Sequence, residues 1–114
     1  MKNIKLIINN DFKKEKDKFF VKNELKCILN LYAKMVSNGT WRDYSFSCGT
    51  KEISFDVYLR TSDKPVIRIL KSFKPTYHNE KFLIKDKNGI ILNKSEDLSN
   101  LLNKTKWNNL KVIK

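Results

Sequence analysis

At Gly39 the hydrophobic period of the chain changes, and that change limits the fold more than any other feature of the sequence. Before it, Leu25, Ile28, Leu29, Tyr32, Met35 and Val36 recur at three- and four-residue spacing, the apolar stripe of an amphipathic helix. Lys22, Asn23, Lys26, Asn30 and Lys34 fall on the opposite side. The spacing predicts a helix over 22–38, stopped by a left-handed Gly39. After Gly39, Ile53, Phe55, Val57 and Leu59 alternate with Ser54, Asp56, Tyr58 and Arg60, the period of a half-buried strand. A chain that makes this switch once must lay a helix against a sheet to bury both apolar faces.

The strands expected from this second period cover 41–48, 51–61, 66–73, 81–86 and 90–93. Gly49-Thr50 is read as a two-residue hairpin, Ser62-Asp63-Lys64 before Pro65 as a three-residue loop, and Asn88-Gly89 as the strongest hairpin signal in the chain. Ser95 then caps a short helix running to about Lys104. Its first turn holds Glu96 and Asp97, and its apolar stripe is Leu98, Leu101 and Leu102. The tail over 107–114 is read as a further edge strand through Leu110 and Val112. Residues 1–19 are read as a basic, solvated lead-in, with an alternating Ile4, Leu6, Ile8 and a charge run from Lys13 to Lys18. The expected architecture is α+β: a helix, a five-strand antiparallel meander and a second helix, forming one two-layer domain over 20–114.

A length of 114 residues fits one domain and is too short for two. The longest apolar run, Ile4 to Ile8, is broken by Lys5, far below the roughly 20 residues of a membrane span. No secretory signal follows Met1, so the expected location is the cytoplasm, without membrane insertion. Cys27 and Cys48 have no ligand spacing and are read as small, half-buried thiols. The single histidine, His78, and the absence of a glycine-rich phosphate loop argue against catalysis, a bound metal or a cofactor. The expected role is therefore non-enzymatic.

Charge is the loudest compositional signal: a net +12, from 24 basic and 12 acidic residues. Such a field favours polyanions: nucleic acid, acidic membrane lipid or an acidic partner protein. A competing reading exists. Lys, Asn and Ile fill 45 positions, and all three have AT-rich codons, so genome bias alone can enrich lysine on solvated faces.

The arginines carry more information. In a chain that otherwise uses lysine, Arg42, Arg60 and Arg68 all fall in the sheet, where planar multidentate hydrogen bonding distinguishes Arg from Lys. Pairing across Gly49-Thr50 places Trp41 opposite Tyr58 and Asp43 opposite Asp56. The next hairpin, closed by Ser62-Asp63-Lys64, places Arg68 opposite Tyr58 and diagonal to Asp56. Trp41, Asp43, Asp56, Tyr58, Arg60 and Arg68 then share the face opposite Phe55 and Val57. Two readings stay open: a recognition surface of aromatic and guanidinium groups, or an internal ion-pair cluster that fixes strand register. In the first, the candidate binding residues are Trp41, Arg42, Asp43, Tyr58, Arg60, Arg68, Lys71 and Lys74. Phosphates would meet Lys64, Arg68, Lys71 and Lys74 on an acid-free strand, with Lys104, Lys106, Lys111 and Lys114 of the tail adding to them. The leading expectation is a binding module for RNA or single-stranded DNA. The alternative is a protein-interaction or assembly factor whose lysines are background.

The run Glu24-Leu25, Ile28-Leu29, Leu31-Tyr32, Met35-Val36, Gly39, Trp41-Arg42-Asp43-Tyr44 resembles a bacterial family catalogued as domain of unknown function 2794. So do Arg60-Thr61-Ser62 with Pro65, Ile67-Arg68-Ile69, and Gly89 with Ile91-Leu92 before Asp97-Leu98. The likeness covers nearly everything from Phe20 to the C-terminus, and the first of these blocks is its specific part. It departs just before the first helix, where Val21 stands in place of the family's Asp. The resemblance implies a compact single domain and no known chemistry.

Overall fold

The structure is a computed structural model, and it describes residues 18–59 and 64–107. Five strands, β1 (Asp43–Cys48), β2 (Glu52–Tyr58), β3 (Ile67–Ser72), β4 (Phe82–Asp86) and β5 (Ile91–Ser95), pair antiparallel in the order of the sequence. Helix α1 (Lys22–Ser37) precedes them, a 3₁₀ turn (His78–Glu80) links β3 to β4, and helix α2 (Leu98–Lys104) follows. This is the expected α+β order. Arg60, the 60–63 loop, the tail strand and the lead-in through residue 17 lie outside the described residues.

One sheet face meets both helices. Phe46, Phe55, Ile53, Val57, Ile67, Ile69, Phe82 and Ile84 share that face, and Ile28, Met35, Leu98, Leu101 and Leu102 close on it from α1 and α2. Phe19 and Phe20 join Phe46 in an aromatic cluster with centroid separations of 5.2 and 6.2 Å.

Helix α1 ends as its sequence dictates. Gly39 takes φ +82°, its N–H donates to the Val36 carbonyl at 3.0 Å, and the Thr40 N–H donates to Met35 at 2.8 Å. Its start is less usual, because Val21 offers no side-chain acceptor. Glu24 reaches back instead: its Oε1 accepts from the Val21 N–H at 2.8 Å and from Lys71 Nζ of β3 at 2.7 Å. One carboxylate thus closes the helix start and ties it to the central strand.

The helix is rotated from the expected stripe. Ile28 and Met35 are buried, whereas Leu29 and Val36 are 36% and 39% exposed. The cause is a second partner: Cys27, Leu31 and Met35 turn toward α2 as well as the sheet. Leu29 and Val36, one residue or about 100° further round, are left at the outer edge. Leu29→Ala is therefore expected to cost under about 1 kcal/mol rather than the roughly 2–5 kcal/mol of a buried leucine. A thermal melt displaced by more than a few degrees would show that Leu29 packs inside.

Two registers also differ from expectation, each by two positions. Asp43 faces Tyr58 and Ser45 faces Asp56, because the first hairpin turns at Thr50-Lys51, with the Gly49 N–H donating to Glu52 at 2.9 Å. Arg68 faces Asp56 directly, not Tyr58. The β4–β5 hairpin closes on three residues, Lys87 to Gly89, between an Asp86–Ile90 pair, with Gly89 at φ +83°. Helix α2 is capped by Asp97, whose carboxylate accepts from the Asn100 N–H at 2.9 Å. Ser95, the expected cap, is instead the buried last residue of β5, and its hydroxyl accepts from the Asp97 N–H.

Candidate functional site

The sheet face turned away from the helices carries most of the sequence candidates. Asp56 is buried there, and its carboxylate accepts from Ser47 (2.6 Å), Ser54 (2.7 Å) and Arg68 Nε (3.0 Å). Arg68 Nη2 also donates to Ser54 at 2.9 Å, while about a third of the side chain (35%) stays exposed. Tyr58 shares a 3.0 Å hydrogen bond with Ser45. Asp43 lies on the same face, but its carboxylate accepts from the Tyr44 N–H at 2.8 Å and faces no second acid. The register shift has removed the expected repulsion between Asp43 and Asp56.

Four candidates lie elsewhere. Trp41 departs from the expected face: it precedes β1 and is buried in the core, edge-on to Trp107 at 5.5 Å and 6.2 Å from Tyr32. Its ring has no face free for a base. Lys71 has the parity of Ile67 and Ile69, so it points to the helix side. There its buried Nζ donates to the Phe19 carbonyl at 3.0 Å and pairs with Glu24. It is not available to a phosphate alongside Arg68. Arg42 and Lys74 are exposed.

Among the described residues the charges across the outer sheet face balance. Asp43, Glu52 and Asp56 stand with Arg68, Lys85 and Lys94, and Lys94 pairs with Glu80 at 3.4 Å. The helical layer is different. Lys22, Lys26, Asn30 and Lys34 form one exposed ridge of α1 at four-residue spacing, and Lys104 and Lys106 stand exposed at the end of α2. Between the helices runs a groove of about 780 Å³. Leu31, Met35, Leu102 and Trp107 form its apolar lining, and Asn30, Lys34, Asn103 and Lys106 its polar lining. Among the described residues no carboxylate lines it. The Trp107 indole is held by its Nε1–H, which donates to the Leu102 carbonyl at 3.1 Å.

This asymmetry has a structural origin. Among the described residues, six of the eight acids are engaged within the fold. Glu24, Asp56 and Glu80 hold ion pairs, while Asp43, Asp86 and Asp97 accept from backbone N–H groups. Most described cations have no such role, so the solvent-facing charge is strongly positive. The groove and its rim were missed by sequence reasoning, apart from Lys106. It joins α1 to residues some 70 positions later, and no local pattern reports that apposition. The acid-free composition of Lys104 to Trp107 was the one signal present.

Tyr32, at the junction of α1 and β1, donates to the Arg42 carbonyl at 3.2 Å. Burial pushes its phenol above the ordinary value, and the charges of Asp43 and Tyr44 act in the same direction. Cys27 is half-buried in the groove wall, and Cys48 is exposed at the end of β1; neither is in a disulfide. Among the described residues no cluster of His, Cys, Asp and Glu could hold a metal ion. No described helix is long and apolar enough to cross a membrane.

Fold and surface together define a small α+β domain: a helix pair on one face of a five-stranded meander, with a cationic, acid-free groove between the helices. The chain belongs to the family described as protein of unknown function (DUF2794), whose model matches residues 18–102. The match takes in α1, the whole sheet and most of α2. No curated protein and no solved structure matches the chain.

Proposed function

We propose that this domain is a non-catalytic cytoplasmic module that binds single-stranded nucleic acid, RNA or DNA, through its helical layer. The observation that supports it is the division of charge: most described acids are engaged within the fold, and no carboxylate lines the groove whose rim carries Lys34 and Lys106. A phosphate chain laid across Lys22, Lys26, Lys34 and Lys106 releases counterions, so its affinity falls steeply with salt.

Anisotropy of a labelled single-stranded oligonucleotide, titrated at several salt concentrations, tests this. The expected result is a linear fall of log affinity with log salt. Lys34→Ala/Lys106→Ala should reduce the magnitude of that slope by about 1.4, from roughly 0.7 for each phosphate contact, with an unchanged melt because both side chains are exposed. Absent or salt-independent binding would overturn the reading.

The alternative, a protein-interaction or assembly factor, draws on a different surface. Ile90, Ile91 and Leu92 on and beside edge strand β5 are 59%, 47% and 36% exposed. Association through them would respond little to salt.

A further inference from the structure

We infer that the groove between α1 and α2 receives an unpaired base of the bound strand, so that the domain reads bases as well as phosphates. The inference rests on the single-strand reading and adds to it a site and a mode of recognition. A purely phosphate-binding surface needs only a flat array of cations. This groove is concave, and its volume of about 780 Å³ lies within the roughly 300–1,000 Å³ range of small-ligand clefts. Its lining divides as a base requires. Leu31 and the Trp107 indole, both half-buried, offer apolar and aromatic surface to the ring faces, with the buried Met35 and Leu102 beneath them.

The edges of a base need donors and acceptors. The amides of Asn30 and Asn103 supply both, from opposite helices, and both residues are exposed at the groove. Lys34 and Lys106 then stand where the phosphates flanking an inserted base would pass. Charge selects the occupant. A neutral apolar peptide would leave the two lysines unused, whereas a nucleotide engages floor, amides and cations together. A duplex keeps its bases stacked and paired and cannot fill the groove without extruding one.

The test compares three probes of equal length: a single-stranded oligonucleotide, its abasic counterpart and the matching duplex. The base-bearing strand is expected to bind about 5- to 150-fold more tightly than the abasic strand, the range for stacking one base. Ser99→Trp, an exposed position in the groove wall, should remove that difference while leaving the abasic affinity, the salt slope and the melt unchanged. Equal binding of base-bearing and abasic strands would overturn the inference and leave the polyanion reading standing. A base preference that survives Ser99→Trp would also overturn it, since the bases would then be read elsewhere. Polyglutamate bound as tightly as the strand, and displaced by Ser99→Trp, would reassign the groove to acidic peptides. If no probe binds, the single-strand reading fails and takes the inference with it.

Discussion

Phe55→Ala is expected to destabilise the domain by about 3–5 kcal/mol, enough to lower the melting temperature by more than about 10 °C. Phe55 is fully buried on β2, under α1. Its ring stacks on Tyr44 with centroids 4.9 Å apart and a 24° interplanar angle, and it meets Phe46 and Tyr32 edge-on at 5.5 and 5.8 Å. Truncation removes the ring that these three share, and Tyr44 and Phe46 on β1 and Tyr32 on α1 cannot all move in to fill the space. A melt displaced by only a few degrees would show that the aromatic layer collapses around the gap.

The second large effect lies on the other sheet face. Arg68→Ala leaves the buried Asp56 carboxylate with two serine donors and no positive charge. The expected cost is about 2–4 kcal/mol. That is below the 3–5 kcal/mol of a fully buried pair, because about a third (35%) of the Arg68 side chain is already in water. Arg68→Lys keeps the charge but cannot reproduce the paired contacts to Asp56 and Ser54, so its loss should be intermediate. A double-mutant cycle with Asp56→Asn measures the coupling. Oligonucleotide affinity of folded Arg68→Lys should match that of the wild type. A large drop in affinity with no change in the melt would make Arg68 a ligand contact and move the interface back to the sheet.

The arrangement of elements was legible because it rests on local signals. The period switch at Gly39, the left-handed stop and the Asn88-Gly89 turn are short-range features, and each sits where the sequence puts it. Strand pairing was legible only in part. The hairpins differ from expectation by two positions, and a slip of two preserves the face each side chain occupies. Asp43, Asp56, Tyr58 and Arg68 therefore do share a face, although their opposite numbers changed. Gly49 misled because glycine suits the first position of a two-residue hairpin. Its φ is not positive, and what it provides is clearance: a Cβ there would sit 3.3 Å from the Glu52 carbonyl.

Lys71 was open to a better reading, since it shares parity with Ile67 and Ile69 and so points inward. Its partner Glu24 lies 47 residues away, and nothing near either residue announces the pair. A still greater distance in sequence concealed the groove. Its two walls become neighbours only after the intervening strands have folded.

The meander also bears on how the domain forms. Among the described residues each strand pairs only with its neighbours in sequence, so four hairpin closures build the five-stranded sheet. Loop-closure entropy is low for such local pairing, which places the sheet among rapidly assembling topologies. Much longer closures bring α1 home, through Lys71 to Glu24 and to Phe19, 47 and 52 positions apart, and across the groove to α2. Sheet formation can therefore run ahead of helix docking, and during synthesis α1 leaves the ribosome before the strand that anchors it exists. Until β3 has emerged, the Glu24 carboxylate has only its own helix to cap.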